Sequence, residues 1–279
     1  MLPRGLHHAI RGASPHGLRI SVALARRAWR DSSFSGARIS LVAATEPRPR
    51  SGFPHIVLEV VQEIRKSAYF EGKLANLRLG AKLLDGVVIA PGEVLSFWKL
   101  IGCPAASAGF ERGRAIRGGA VGGEVGGGLC QLSGIVYEAG LRAGLDPVER
   151  HPHSRDLYAE EDRFTPLGLD ATVVWPYKDL RLANGLAVPV QFRFAVGEAR
   201  IAASIHSAAP LQPATFEISR IDKDGRREVR VVRRRDGGEA EPISDDSYAA
   251  MPAEAAPPGN PLNPASSPLP PKPGAAGGP

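Results

Sequence analysis

Residues 126–143 of this 279-residue chain have the sequence GGGLCQLSGIVYEAGLRA. The apolar residues after the glycines recur at the 3.6-residue spacing of an amphipathic helix. They are Leu132, Ile135, Val136, Ala139 and Ala143. The spacing predicts a helix that begins close to Cys130 and stops at Gly144. Cys130 itself falls outside the apolar stripe, at the start of this helix.

Cys130 is the first candidate for a reactive group. The unpaired amides and the dipole at a helix start favour the thiolate form of a cysteine. The glycines Gly126, Gly127 and Gly128 allow a ligand to approach the backbone closely, and Gln131 adds a side-chain donor. This pattern is typical of a nucleophile beside an oxyanion site. A lone cysteine is also often an inert, packed apolar residue, so both interpretations stay open.

His151, His153 and Asp170 are the next candidates along the chain. Pro152 favours an extended conformation at His151, and alternation then places both imidazoles on one face, where either is a candidate general base. Asp170 opens an apolar run and is a candidate to orient that base. These residues and Cys130 are competent zinc ligands, but no compact ligand spacing supports a metal site. We predict no metal and no cofactor, and no phosphate loop is present because Gly-Lys-Ser/Thr is absent.

The segments before the glycine-rich run predict two helices and a strand pair. Val57, Val60, Val61 and Ile64 fall on one helical face, which predicts a helix from about residue 53 to 67. A second helix is predicted near 73–84, with Leu74, Leu77, Ala81 and Leu84 as its buried stripe. Residues 87–98 are predicted to form a hairpin, because Pro91 and Gly92 suit a type II turn.

The chain after Gly144 is predicted to be rich in β-strands. The candidate strands are 147–154, 170–175, 179–182, 188–196 and 200–206, followed by a charged hairpin of 215–221 and 226–235. The predicted fold class is α+β, with N-terminal helices packed on a mainly antiparallel β-sheet and a glycine-rich loop leading into the Cys130 helix.

Composition divides the chain into three parts. The net charge is +6, but residues 1–50 hold nine Arg, no Lys and two acidic residues, which is +7 and leaves −1 for the rest. We predict an Arg-rich, poorly ordered leader at 1–50, with one amphipathic stretch at 18–29 that suits an acidic surface or the domain itself. The domain is predicted at 51–235 and a Pro-, Ala- and Gly-rich disordered tail at 236–279.

The same features limit the partners. Interspersed acidic residues and a near-neutral body argue against nucleic acid as a partner. No apolar run reaches the ~18 residues of a membrane span, so no integral membrane segment is predicted. The N-terminus lacks the apolar core of a secretory signal, which favours a cytoplasmic location. The sequence does not determine the oligomeric state.

The middle of the chain resembles the VanW family, named for an accessory protein of vancomycin-resistance gene clusters. The motifs that carry the resemblance occur in order between Asn76 and Asn184. They are Asn76-Leu77, Pro91-Gly92-Glu93, Ser96-Phe97-Trp98, GGGLCQLS at 126–133, Tyr137, RHPHS at 150–154, DATV at 170–173, and Asn184. The chain departs from the family pattern at Gly134-Ile135 and in an insertion-like segment at 159–167, beside the candidate site.

The resemblance implies a link to the cell envelope and to glycopeptide resistance, and it makes an envelope-associated location the alternative to the cytoplasm. We expect a cysteine-dependent enzyme that acts on a peptide or amide of peptidoglycan metabolism, with Cys130 as nucleophile, His153 as base and Asp170 as its orienting group. The expected ligand-binding residues are Gly126, Gly127, Gly128, Ser133, Asn76, Glu93 and Asn184. The alternative is a non-catalytic module for a cell-wall peptide or sugar, in which Cys130 only packs.

Overall fold

The computed structural model describes residues 16–33, 50–66, 68–117, 120–156 and 163–249. Within these ranges the chain forms four α-helices and twelve β-strands. In chain order they are α1 His16–Ser33, β1 His55–Glu63, α2 Phe70–Leu84, β2 Val88–Ile89, β3 Val94–Ser96, α3 Phe97–Ile101, β4 Arg112–Arg117, β5 Ala120–Val125, α4 Leu129–Arg142, β6 Asp146–Glu149, β7 Arg181–Ala183, β8 Val190–Val196, β9 Arg200–Ser207, β10 Thr215–Lys223, β11 Arg226–Arg234 and β12 Ala240–Ala249. The predicted α+β class is confirmed.

The strands form several antiparallel sheets. One has the order β1-β9-β8-β2, a second β10-β11-β12, a third β3-β7-β6, and β4 pairs with β5 as a hairpin. Every paired neighbour runs antiparallel. None of the described helices is long and apolar enough to cross a bilayer.

Helix α4 lies at the centre of the core and has the span that its periodicity predicts. Leu132, Ile135, Val136 and Ala139 are fully buried. The helix packs on β1, β9 and α2. Its approach to α2 is close, because a Cβ added to Gly80 of α2 would lie 2.4 Å from Leu132 Cδ2. The core therefore fixes the position of this helix and of the cysteine at its start.

Helix α2 confirms the second predicted helix. Its predicted stripe is buried throughout, with Leu74, Leu77, Ala81 and Leu84 at most 4% exposed. The chain leaves the helix through Gly86, whose φ of 78° is accessible to glycine without strain.

The predicted helix over 53–67 is wrong, because residues 55–63 form β1, which pairs antiparallel with β9. Burial alternates along the second half of the strand: Val60, Gln62 and Ile64 are buried, whereas Val61 is 49% exposed. The segment is rich in β-branched residues, which favour strands. The helix is predicted because Val57, Val60, Val61 and Ile64 are spaced three and four residues apart, which matches the helical period by coincidence.

The predicted hairpin over 87–98 is correct in its turn and wrong in its pairing. Gly92 has φ 78°, and Glu93 N donates to Ala90 O at 2.9 Å, as in a type II turn. The two arms then join different sheets, since β2 pairs with β8 and β3 with β7. The second arm ends at Ser96, where α3 begins.

In the C-terminal half, β8, β9 and the hairpin of β10 and β11 lie where the sequence predicts strands. Residues 170–175 contribute only an isolated bridge between Val174 and Lys178. Strand β12 extends to Ala249 and pairs with β11, so the strands continue past residue 235, after which the tail is predicted to begin. Residues 250–279 lie outside the described residues.

Part of the predicted leader is packed against the domain. The amphipathic stretch at 18–29 belongs to α1, where Arg27 is only 5% exposed. Its guanidinium lies 2.8 Å from Asp179 Oδ2 and 3.4 Å from Glu149 Oε1. This helix lies within the segment predicted to be a poorly ordered leader, and most of the rest of that segment lies outside the described ranges.

The role of β12 gives a test of the domain boundary. A chain that ends at Arg235 is expected to lose cooperative thermal unfolding, because removal of β12 uncovers the buried Val229 and Val231 and takes Tyr248 from its hydrogen bond with Asp170. A chain that ends at Met251 keeps β12 and should melt like the full-length protein. Circular dichroism melts measure both, and equal melting of the two truncated chains would contradict the structural role of β12.

Candidate active site

The glycine-rich turn holds the start of α4 against the β4–β5 hairpin. Gly126 and Gly128 have φ values of 81° and 103°, which disfavour other residues. A Cβ added to Gly127 would lie 2.1 Å from Gly113 O, so the two backbones are in direct contact. These glycines are needed for the path and the packing of the backbone itself, which differs from the expected close approach of a ligand.

Cys130 lies at the start of α4 and is partly exposed. Its Sγ is 3.6 Å from the carbonyl oxygen of Val173. Burial raises the pKa of the thiol, but a hydrogen bond with His153 and the charge of that residue outweigh burial, and the pKa is lowered below its ordinary value. A structural cysteine in an apolar site would show the opposite shift.

His153 links the cysteine to Asp170. Its Nδ1 lies 2.6 Å from Asp170 Oδ2, and its backbone N donates to the same oxygen at 2.8 Å. Burial lowers the pKa of the imidazole, but the hydrogen bonds with Asp170 and Cys130 raise it to about 10. Because Nδ1 is engaged by Asp170, Nε2 is the ring nitrogen left to exchange a proton with Sγ.

Asp170 is held on its other side by residues far away in sequence. Its Oδ1 accepts hydrogen bonds from Tyr248 Oη at 2.6 Å and from Arg150 Nη2 at 2.9 Å. Burial raises the pKa of this carboxyl, but its hydrogen bonds and the charge of Arg150 keep the pKa well below its usual range. Asp170 is therefore a carboxylate whose two oxygens are both fixed.

Arg150 and Tyr248 belong to a wider buried network. Arg150 also bonds the backbone oxygen of Asp170 at 2.7 Å and pairs with Asp246 of β12. Its guanidinium stacks over the Tyr137 ring, 5.2 Å from the centroid. The sequence indicated Arg150 only as part of the RHPHS motif at 150–154. It did not indicate Asp246 or Tyr248, because both fall in the segment predicted to be a disordered tail. No local signal marks them.

Two of the candidate catalytic residues have other partners. His151 Nε2 lies 3.2 Å from Glu149 Oε1. Gln131 is buried, and its amide donates to Glu63 O at the end of β1, at 2.8 Å. The structure thus brings Cys130, His153 and Asp170 together, while His151 and Gln131 bond to Glu149 and β1.

The expected ligand-binding asparagines hold backbone segments together. Asn76 donates to Gly127 O at 2.9 Å and to Glu111 O at 2.9 Å, and accepts from Glu111 N at 2.8 Å. Asn184 makes three similar bonds within 2.9 Å, to Ile89 O, Val188 O and Leu186 N. Both residues are fully buried. Both N–H donors of each amide are used within the protein, and each amide oxygen already accepts one hydrogen bond.

Ser133 and Glu93 serve the fold in the same way. Ser133 is fully buried, and its hydroxyl donates to Ala171 O at 2.7 Å, which ties α4 to the segment after Asp170. Glu93 Oε2 accepts from Ala90 N at 2.8 Å within the type II turn. In the described part of the chain, no three His, Cys, Asp or Glu side chains converge to hold a metal ion.

The fold and this geometry define an α+β domain in which a cysteine, a histidine and an aspartate are linked at the start of a central helix. Residues 72–206 match the protein family described as VanW like protein. This segment, just under half of the chain, is similar to the VanW-like family. The matched segment contains Cys130, His153 and Asp170 but ends before Asp246 and Tyr248.

Two curated relatives match parts of the chain. An uncharacterized protein of Bacillus subtilis, YoaR, is 36% identical over 118 residues, which is 42% of this chain and 37% of the relative. The vancomycin B-type resistance protein VanW of Enterococcus faecalis is 33% identical over 116 residues, which is 42% of each chain. The matches thus span about two fifths of these relatives. No solved structure shows significant similarity.

Substitution of two glycines near Cys130 tests whether the close backbone contact of Gly127 requires a glycine. Gly127→Ala is expected to destabilise the protein by about 3 kcal/mol or more, because the new methyl group meets backbone atoms that have no room to move. Gly134→Ala, inside α4, should stabilise the protein by about 0.5–1 kcal/mol, since the nearest atom to its Cβ is 3.9 Å away. Urea unfolding measures both; destabilisation of similar size in the two variants would contradict the proposed backbone contact.

The hydrogen bond from Tyr248 to Asp170 gives a second stability test. Tyr248→Phe removes a donor to Asp170 and an acceptor for Gly168 N at 3.1 Å. The expected loss is about 1–3 kcal/mol, because both partners stay buried. Tyr177→Phe, at a side chain 45% exposed, should change stability by less than about 0.5 kcal/mol. Chemical unfolding of both variants measures these losses of stability, and equal losses would contradict the stabilising role of the Tyr248 hydrogen bonds.

Proposed function

We propose that this protein is a cysteine-dependent hydrolase or acyl transferase that acts on a peptide or amide of peptidoglycan metabolism. Cys130 is the nucleophile, His153 the acid–base group and Asp170 the group that orients it. The observation that carries the proposal is the lowered pKa of a thiol whose burial would otherwise raise it, owing to His153. Opposite shifts in two adjacent titratable groups are typical of catalytic sites.

The two shifts favour a charged pair at neutral pH. The pKa of His153 is about 10, and that of Cys130 lies below its ordinary value. Both shifts favour the thiolate–imidazolium form of the pair, with the imidazolium held by the carboxylate of Asp170. A thiolate is the nucleophilic form of cysteine, so no base is needed to start the reaction.

The reaction follows from this starting state. Sγ attacks the carbonyl carbon, a C–S bond forms, and the π electrons move to the carbonyl oxygen. The C–N bond then breaks as His153 gives its Nε2 proton to the leaving nitrogen, which produces a thioester. Water or an acceptor amine attacks the thioester while the neutral His153 takes its proton, and Cys130 leaves as thiolate.

The backbone at the start of α4 supplies a donor for the developing oxyanion. Among the described residues, the amide N–H of Cys130 has no hydrogen-bond acceptor. It lies at the positive end of the helix, where a negative charge is favoured. The Gln131 side-chain amide is bonded to Glu63 O, so we assign the donor to the backbone.

The substrate class is inferred from sequence similarity to a named relative rather than from the geometry of the site. The relative from Enterococcus faecalis is named for vancomycin resistance, and we extend this association to the present protein. Glycopeptide resistance concerns the peptides of the cell wall, which contain the amide bonds that the proposed chemistry cleaves or transfers. A non-catalytic module for the same ligands is the second candidate.

The reactivity of Cys130 tests the chemistry without a substrate. In a Cys103→Ala background, the rate of iodoacetamide alkylation is measured against pH by intact mass spectrometry. The apparent pKa is expected well below the reference of about 8.5. His153→Ala should raise it above that reference, because burial and the charge of Asp170 are then opposed only by the hydrogen bond with Val173, and should slow alkylation at pH 7 at least about tenfold.

His151→Ala is the matched control, since His151 bonds to Glu149, and it should leave the profile unchanged. Two results would contradict the role of Cys130 as nucleophile. One is a normal or raised pKa for Cys130 in the Cys103→Ala protein with both histidines intact, and the other is an equal effect of the two histidine variants. A screen of peptides and amides then separates the two candidates. Cys130→Ser should abolish turnover in an enzyme and leave ligand binding nearly intact in a binding module.

A further inference from the structure

A cluster of positive side chains lies against the turn that leads to Cys130. Lys73 is in the first turn of α2, and its Cγ lies 2.8 Å from the position of a Cβ on Gly128. Arg114 is in β4, and its backbone N lies 2.9 Å from the position of a Cβ on Gly127. The charge of Arg65, which follows β1, also reaches Lys73. We call Lys73, Arg114 and Arg65 the cationic cluster.

Lys73 and Arg114 lack the carboxylate partner that the strongly buried arginines in the described part of the chain have. Each of these arginines lies within 3.2 Å of a carboxylate; the pairs are Arg27–Asp179, Arg150–Asp170, Arg163–Asp156, Arg181–Asp179 and Arg233–Asp146. Neither Lys73 nor Arg114 forms an ion pair with any described residue, and Arg114 Nε is buried without an acceptor. A buried donor without a partner is costly, so this arrangement is typical of a site that an external group completes.

Burial and repulsion from the neighbouring arginines lower the pKa of Lys73. Burial, then the charge of Arg114, then that of Arg65, lower the pKa of the amine to about 8. No carboxylate contributes an opposing shift. A bound anion would relieve both the burial of the charge and the repulsion.

We propose that Lys73 and Arg114 bind a carboxylate group of the acyl substrate, beside the scissile amide that Cys130 attacks. The planar fork of an arginine matches a carboxylate, and the lysine adds a point charge. The N–H of Gly128, which has no acceptor among the described residues, lies at the same helix start. The position beside the scissile bond rests on the proposed function; the binding of a carboxylate does not.

The cluster does not serve to activate the cysteine. The groups that shift the pKa of the Cys130 thiol are His153, Val173 and Asp170, and Lys73 is not among them. Its charge is therefore available to a substrate group that extends past the nucleophile. The substrate class that this geometry selects is a peptide or acyl amino acid with a free carboxylate close to the amide bond.

The test compares two small probes of nearly equal shape in the full-length Cys130→Ala variant. N-acetylglycine carries a carboxylate, and N-acetylglycinamide carries a neutral amide in its place. Binding is followed through the backbone amide resonances of residues 126–130. We expect N-acetylglycine to shift these resonances saturably and N-acetylglycinamide to shift them at least about tenfold more weakly.

Lys73→Met and Arg114→Met should each raise the Kd of N-acetylglycine about tenfold or more. Lys82→Met, at an exposed residue in the last turn of the same helix, should leave the Kd unchanged. If either cluster variant fails to fold, the pH dependence of the parent replaces it. Binding is then expected to weaken as the pH rises through about 8, where Lys73 loses its charge.

Equal affinity for the two probes would overturn the proposal. So would unchanged affinity in both folded cluster variants, or affinity independent of pH between 7 and 9.5. Inorganic phosphate is titrated in parallel, and a Kd more than about tenfold below that of N-acetylglycine would overturn the assignment to a carboxylate. Because these titrations use a chain without the Cys130 thiol, their outcome is independent of whether Cys130 is a nucleophile.

Discussion

The carboxylate of Asp170 is the constraint on which the site depends. Its two oxygens accept four hydrogen bonds, from the backbone and ring of His153, from Arg150 and from Tyr248. A buried carboxylate is stable only when its lone pairs are satisfied in this way. These bonds join the loop after β6, the segment before Val173 and the last strand of a separate sheet. One carboxylate thus fixes the orientation of His153 and fastens β12 to the domain.

The other half of the site is fixed by backbone packing. The Gly127 turn contacts the backbone of β4, and Asn76 bonds the same turn from α2. Helix α4 is buried along most of its length, so the turn has little freedom once the helix is packed. Cys130 is consequently held on one side by close contact between backbones and on the other by the anchored His153. Such double support is what keeps a reactive pair in one geometry.

Polar residues near the site fall into two groups with different energetics. Asn76, Asn184 and Ser133 are buried and bond to backbone partners that hold the scaffold together. Lys73 and Arg114 lie at the same turn, and no carboxylate of a described residue balances their charges. The distinction depends on hydrogen-bond partners, which residue type and spacing do not reveal.

The sequence by itself determined the local features of this protein. The periodicity of apolar residues specified α2 and α4, Pro91 and Gly92 specified a turn, and the glycine run placed Cys130 at a helix start, because each depends only on neighbouring residues. Tertiary structure decided the rest. The apolar spacing in residues 55–63 predicts a helix, but pairing with β9 makes this segment the strand β1. Tyr248 bonds to Asp170 only because β12 pairs with β11 and brings its hydroxyl there. Long-range pairing of strands carries no local signature, so the partners of Asp170 were decided by the folded chain.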